Sequence, residues 1–521
     1  MRIGIYNRWL NTLGGGERHS LAMAEFLSGY YPTCYISHYP VAVEKAAGKL
    51  NLDLSHISFK FLPEFFDLNL TEISRKYDFF INASNLDFFP SQAPKSALLV
   101  FFPISFTRDR LSRFRNNLAL RFKQLAMIPS IVEGQPVTDE DSRLVIRSVN
   151  SKISVEVPAA SQTLTCDFAI ENRSTFKTRL SVKINGRILD SMLLPVQDPF
   201  VRDQVVLKRN QGEKVHRIEF LEDRPNDHPP ANFDLIFDLF QLSHPRYALY
   251  KKYCAHLFKE YHHRFLRPRK FKPPLRESLS SYDLIWANSK FTSNWINSYW
   301  KRSSYVLYPP VNPIFFNTGI KKNIILNVGR FYAGSHHKNQ SLLIDVFKEM
   351  VSQGLDQWEF HLAGGGLYED IHIRQMEKNY LEELFSKAEG FPIKIHLDLP
   401  INHLVDLYGQ SSIYWHATGY GQKENQAPIR MEHFGLTTVE AMASGCVPVV
   451  FGAGGQMEIV ENNSNGFFWI QKDELKEKTW RLVSDSSLRA QLSEKASQDA
   501  EKFNTRNFNN RLQDSLAPIG I

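Results

Sequence analysis

Short apolar runs alternate with helical patterns at the start of the chain. RIGIYN (residues 2–7) has the length and character of a buried strand, and a glycine loop, LNTLGGG, leads from it into the helical pattern ERHSLAMAEFLSGY. The runs TCYISHY, YDFFINAS and SALLVFFP repeat the strand signal. Strands alternating with helices predict a parallel sheet covered on both faces. From about Pro129 to Ser243 the period changes to two, in RLVIRSV, KISVEVP, TLTCDFAIEN, TRLSVKINGRILDSMLL, DQVVLKR, KVHRIEFLED and FDLIFDLFQL. Turn residues separate these runs, Asn185-Gly186 giving a hairpin signal, so seven or eight short strands predict a β-sandwich. The α/β pattern resumes near His244. SYDLIWANSKFTSNWINSYW reads as strand, turn and helix, capped by Asn288 or Ser289. After the two prolines of LYPPV the alternation starts afresh at NIILNVGRF. The pattern predicts two Rossmann-like domains facing a cleft, residues 1–128 with 244–315 and residues 316–521, and a sandwich, residues 129–243, inserted into the first.

Composition adds bounds. At 521 residues the chain is long enough for two or three domains. With 43% hydrophobic and 22% charged residues it is of globular type. Four scattered cysteines without a C-x-x-C pair argue against a disulfide framework or a zinc site and fit a reducing compartment. The start MRIGIYNRWLNTLGGGERHS lacks a signal-peptide core, and the apolar run ALLVFFPI is far shorter than the roughly 20 residues that span a bilayer. The expected location is cytoplasmic, with peripheral attachment to the inner face of the cell membrane as an open extension.

Four loops could carry chemistry. Gly14, Gly15 and Gly16 stand between a strand and a helix, where free amides and the helix dipole suit an anion, or where a tight turn merely packs. The spacing is not G-x-G-x-x-G, so the dinucleotide fingerprint is rejected. In NVGRFYAGSHHKN, Arg330 and Lys338 flank a loop before a helix and would suit a diphosphate, or are two solvated charges. GAGGQMEIV repeats the strand, glycine turn and helix, with Gly454 and Gly455 in the turn and Glu458 near a helix start, where an acid also suits the dipole. In RMEHFGLTTVEAMASG, Thr437 and Glu440 have capping-box spacing and Gly445 is placed to stop the helix. Glu432 precedes that helix and has no local duty for a carboxylate.

Together GGGERH, ANSKFTSNWI, LYPPV, VGRF…KN, EHFGLTTVEAMASGCVPVV and GAGGQMEIV resemble the family 4 glycosyltransferases, retaining enzymes of the GT-B fold. The likeness spans nearly the whole chain apart from the sandwich. It implies a nucleotide-sugar donor of UDP or GDP type and a glycan or lipid-linked acceptor. It matches Glu432 and Glu440 to the family's E-x7-E pair, the first for the transferred sugar and the second for the ribose. Arg330 and Lys338 would hold the diphosphate. The amides from Phe434 through Gly435 and Leu436 to Thr437 would contact sugar and phosphate, and Gly15 and Gly16 would line the cleft. Fixed cations and amides stabilising the leaving diphosphate need no metal and no cofactor. The one D-x-D, at Asp139–Asp141, is taken as coincidence. The sequence departs from the family at Phe101, where relatives often carry a histidine. A nucleotide-sugar epimerase, a phosphorylase and a non-catalytic sugar-binding scaffold are the rival readings.

One more pattern bears on partners. FTRDRLSRFRNNLALRFKQL places Leu111, Phe114, Leu118, Phe122 and Leu125 near one helical face, among Arg108, Arg110, Arg113, Arg115, Arg121 and Lys123. A second basic and aromatic cluster runs from Lys251 to Lys272. Basic amphipathic helices bind anionic membranes, but an apolar stripe in the core with a solvated basic face gives the same pattern. No nucleic-acid-binding module is present, and the net charge of +7 alone does not imply one.

Overall fold

Apolar runs of four to six residues form strands buried on both faces, the condition that favours parallel sheets. The computed structural model describes the chain apart from residues 40, 63–69, 86, 134, 139–143, 149–150, 161–162, 175–176, 196–200, 209–214, 224–232, 237–238, 254–273, 333, 335–336 and 366–370, and apart from the side chains of 133, 135–138, 144 and 371–376. It divides into two compact units. One comprises Met1–Phe61, Thr71–Phe106 and Arg276–Ile521, and the other Leu62–Leu70 and Thr107–Leu275.

The first unit holds two parallel sheets. Seven strands run in the order Tyr305–Val306, Leu284–Ala287, Lys95–Val100, Phe79–Asn82, Ile3–Tyr6, Thr33–Ser37, Ile57–Phe61. Six more run in the order Ile393–Leu397, Glu359–Gly364, Ile324–Val328, Ile413–His416, Val447–Phe451, Phe467–Trp469. Both sheets cross over between non-consecutive strands, as doubly wound sheets do. Ser289 accepts from the Thr292 amide at 3.0 Å and caps the helix Lys290–Trp300, so it is the serine rather than Asn288 that ends the preceding turn.

The end of the chain does not stay with the second sheet. Phe508, Leu512 and Leu516, on the helix Thr505–Leu516, are buried with Ile3, Ile5, Leu21 and Trp286 in the core of the first sheet. Ser515 Oγ accepts from the Trp286 indole at 2.9 Å. A division of the chain at 316–521 therefore misplaces this helix, whose apolar face completes the other half.

The second unit is antiparallel, and along Val215–Glu222 buried positions alternate with more open ones. A six-stranded and a five-stranded sheet share one apolar core, with Ile146, Phe168 and Leu235 from the first and Val155, Val182 and Phe220 from the second. Asn185 and Gly186, both at positive φ, turn the hairpin between Thr178–Ile184 and Arg187–Leu194. The unit is wider than residues 129–243. Ala126, Met127 and Ile128 join this core from one flank and Tyr247 and Tyr250 from the other, which draws in the helices Phe106–Leu125 and Pro245–Tyr253. Asp139–Asp141 and most of the second basic cluster lie outside the described residues.

On the helix Phe106–Leu125 the expected apolar stripe is not core. Leu111, Phe114, Leu118, Phe122 and Leu125 are all exposed, while Leu120 and Lys123 are buried. Among the described residues no helix is long and apolar enough to cross a membrane.

Candidate functional site

Three neighbouring strands of the second sheet, Ile324–Val328, Ile413–His416 and Val447–Phe451, are parallel and in register, so their C-terminal ends lie together. In open α/β sheets that edge is where ligands bind. The loop after the first strand is pinned by Gln340, which donates to the Arg330 carbonyl at 3.1 Å, and by Asn339, which donates to the Ala417 carbonyl at 2.7 Å. The stem of Lys338 lies over Gly329, whose missing Cβ would stand 3.0 Å from Lys338 Cγ. Arg330 leaves the same strand and is exposed.

Glu432 is where this edge converges. Its Oε2 accepts from Lys338 Nζ at 2.5 Å and from His416 Nε2 at 3.0 Å. Burial opposes its ionisation, but the Lys338 charge and the His416 hydrogen bond overcome that and hold the carboxyl well below the usual range. His416 is pushed the other way. Burial outweighs the pull of Glu432 and lowers its pKa.

The helix Leu436–Ala443 begins four residues after Glu432. Its N-cap is Gly435 at φ 113°, a conformation that suits glycine. The Thr437–Glu440 capping box is therefore not formed, because the helix starts before Thr437. Thr437 Oγ1 instead accepts from Tyr414 Oη at 2.8 Å. Glu440 is buried within the helix and accepts from Tyr408 Oη at 3.2 Å. Burial raises its pKa to about 7, against the opposing charge of Arg18 and the Tyr408 bond. Gly445, at φ 77°, ends the helix.

Other expected site residues have different duties. The amides of Gly454 and Gly455 are taken, by the Glu424 carboxylate at 3.0 Å and the Glu432 carbonyl at 2.7 Å. A Cβ on Gly455 would meet the His433 carbonyl oxygen at 2.4 Å, so this turn serves to press against the segment Glu432–Phe434. Glu458 caps a helix of the other half. Its carboxylate accepts from the amides of Lys290 and Phe291 at 2.9 and 3.1 Å and from Tyr308 Oη at 2.8 Å. An acid near a helix start was legible, but not which helix. Phe434 is buried against Tyr308 and Phe503, leaving only its backbone for a ligand. Gly15 approaches Leu436 and Gly16 approaches the ring of Phe101, so the starts of the helices Gly15–Ser28 and Leu436–Ala443 are apposed.

Phe101 itself offers a phenyl ring where the family's histidine was expected, and that ring lies against Gly16. The ring of His19 packs edge-on against Phe101; it is fully buried, its two nitrogens have no hydrogen-bond partner among the described residues, and burial pushes its pKa down to about 3. Next door, Phe102 stacks on His433 with ring centroids 4.5 Å apart.

His416, Tyr408 and Tyr414 were not singled out from sequence. The signal for two of them was present. In IYWH, Ile413 and Trp415 go to one core and Tyr414 to the other, so period-two alternation puts His416 beside Tyr414 at the ligand end of the strand.

Comparison with known proteins agrees with this layout. Residues 312–499 match the family described as Glycosyl transferases group 1. The chain is 25% identical over 257 residues, 45% of its length and 47% of the relative's, to the GDP-Man:Man(3)GlcNAc(2)-PP-Dol alpha-1,2-mannosyltransferase of Dictyostelium discoideum. It is 29% identical over 226 residues, 42% of its length and 55% of the relative's, to an uncharacterised glycosyltransferase of Methanocaldococcus jannaschii. The chain thus spans about half the length of these curated relatives. Among solved structures, Anabaena HepE in complex with UDP-glucose is similar over 99% of this chain and 100% of that one, with a TM-score of 0.52 and 12% identity. The fold is GT-B, two Rossmann-like halves.

Proposed function

We propose that the protein is a retaining glycosyltransferase that moves a sugar from a nucleoside diphosphate sugar to a hydroxyl of a lipid-linked or polymeric glycan. One observation carries the reading. A carboxylate, Glu432, is kept ionised at the ligand edge of a parallel sheet, three residues before the N-cap of a helix and beside a lysine. Such a carboxylate accepts from sugar hydroxyls. Lys338 and Arg330, with the amides at Gly435–Thr437, meet the diphosphate and stabilise it as it leaves. Glu440, deeper in the same helix, meets the ribose. These groups supply the countercharge themselves, so the reading requires no metal, and it assigns no covalent nucleophile.

The test is a thermal-shift panel of UDP, GDP, UDP-glucose and GDP-mannose, followed by transfer assays with the stabilising donor, with and without EDTA. One nucleotide and its sugar should raise the melting temperature, and transfer should survive EDTA. A panel in which none of the four binds would overturn the reading.

The acceptor side of the reading rests on the helix Phe106–Leu125. Five large apolar side chains stand exposed beside exposed Arg110, Arg115 and Arg121, the chemistry of an anionic lipid surface. Lys123 is buried and Arg113 is paired with Asp109 at 2.9 Å, so those two are not counted as lipid contacts. The wild-type protein should float with anionic liposomes at moderate salt, and Phe114→Ser with Leu118→Ser should abolish this. Failure of the wild type to float would remove the membrane from the reading.

A further inference from the structure

His416 ends the strand Ile413–His416 with its side chain 2% exposed. Among the described residues the ring makes one hydrogen bond, from Nε2 to Glu432 Oε2 at 3.0 Å, and its buried Nδ1 has no partner. That asymmetry sets the tautomer. A proton on Nε2 gives the carboxylate a donor and leaves a bare lone pair at Nδ1. A proton on Nδ1 would face a lone pair against Oε2 and also bury an unsatisfied N–H. The groups that face the ring with charge are Glu432 and Lys338, and burial keeps the ring neutral between them.

Lys338 and His416 share one oxygen of Glu432, and the other, Oε1, has no hydrogen-bond partner among the described residues. The two donors are not equivalent. Lys338 is a point charge on a flexible stem, carried by a loop. His416 is fixed in the sheet, paired with Val450 and held at its carbonyl by the Trp469 indole at 3.2 Å. A diphosphate carries more charge than a carboxylate and competes for Lys338. When the lysine turns to it, the histidine is what remains on Glu432.

We propose that His416 is the positioning residue of this site, with its Nε2–H pinning one oxygen of Glu432 so that the other is presented to the sugar of the donor, a hold that outlasts the departure of Lys338. The proposal rests on the reading that Glu432 meets the donor sugar. His416 touches no ligand itself. It acts through Glu432, and so affects recognition of the sugar but not of the nucleotide.

The experiment compares wild type, His416→Leu, His416→Gln and Glu432→Gln by calorimetry with UDP, GDP, UDP-glucose and GDP-mannose. The quantity read is the ratio of sugar-nucleotide to nucleoside-diphosphate affinity. His416→Leu should lower that ratio about tenfold, as expected for losing a hydrogen bond to a charged group, with diphosphate affinity unchanged. His416→Gln keeps an N–H near the same place and should restore most of the ratio. If His416→Leu leaves the ratio at its wild-type value, or lowers both affinities alike, His416 is a structural residue and the proposal fails. If Glu432→Gln leaves the ratio unchanged, it is the assignment of Glu432 that fails, and the proposal with it. A measurement without donor stands beside these. In imidazole nitrogen-15 spectra, the resonances lost in His416→Gln should report a neutral ring protonated at Nε2, and a proton on Nδ1 would overturn the proposal.

Discussion

The loop before the helix Leu436–Ala443 and the interior of that helix each hold one glutamate, and they receive opposite treatment. Glu432 has a cation and a neutral N–H on one oxygen, so it stays ionised despite partial burial. Glu440, eight residues on, is more deeply buried and has one phenol for a partner. Arg18 acts on it only at a distance, because the guanidinium is spent on the Leu50 and Pro310 carbonyls. Burial then wins, and its pKa rises to about 7. Identical side chains therefore serve different ends. The first is held as an anion by its neighbours, and the second is a carboxyl whose charge is free to change near neutral pH.

The largest effect expected from this contrast is at Glu432. Glu432→Gln should lower transfer by about 100-fold, in the range seen when a group aimed at the reacting centre is removed, while the denaturation midpoint moves little. A large loss of stability with activity retained would reverse the roles of the two glutamates. Next comes Glu440. Its folded pKa lies above the ordinary 4.5, so the folded state binds the proton more tightly than the unfolded state. The wild type is thus favoured by this group below pH 4.5 and loses up to about 3 kcal/mol as pH rises to about 7. Glu440→Gln should lack that loss and be the more stable protein at pH 8 by denaturant melts, yet bind nucleotide more weakly. Ribose hydroxyls favour the ionised form, so wild-type nucleotide affinity should rise from pH 6 to pH 8. The smallest effect is at Tyr408. Tyr408→Phe removes one hydrogen bond, costing about 1 kcal/mol, and should move the Glu440 titration further upward. A downward shift, read from the pH dependence of the melting midpoint, would show that Tyr408 is not what lowers it.

The parallel sheets were legible because four-residue strands such as IGIY and LIWA are apolar throughout, and the antiparallel unit because VHRIEFLE alternates. The glycine turns announced themselves by composition. Partnership across the chain did not. Nothing near GAGGQMEIV says that Glu458 will cap the helix Lys290–Trp300, 168 residues away, or that Gly454 and Gly455 are small so that Glu432–Phe434 can approach. The capping-box spacing at Thr437 and Glu440 was misleading for a local reason. A left-handed glycine started the helix earlier and moved both residues inside it. The stripe on Phe106–Leu125 had the period of a buried face, and period alone does not say whether protein or another medium covers it.

The return of the helix Thr505–Leu516 to the first sheet bears on synthesis. Ile3 and Ile5 share their core with Phe508, Leu512 and Leu516, which come far later along the chain. The first half therefore keeps apolar surface open until the helix Thr505–Leu516 has been made, while the second sheet can close on its own contacts. A chain cut before that helix would leave the core of the first sheet unfinished.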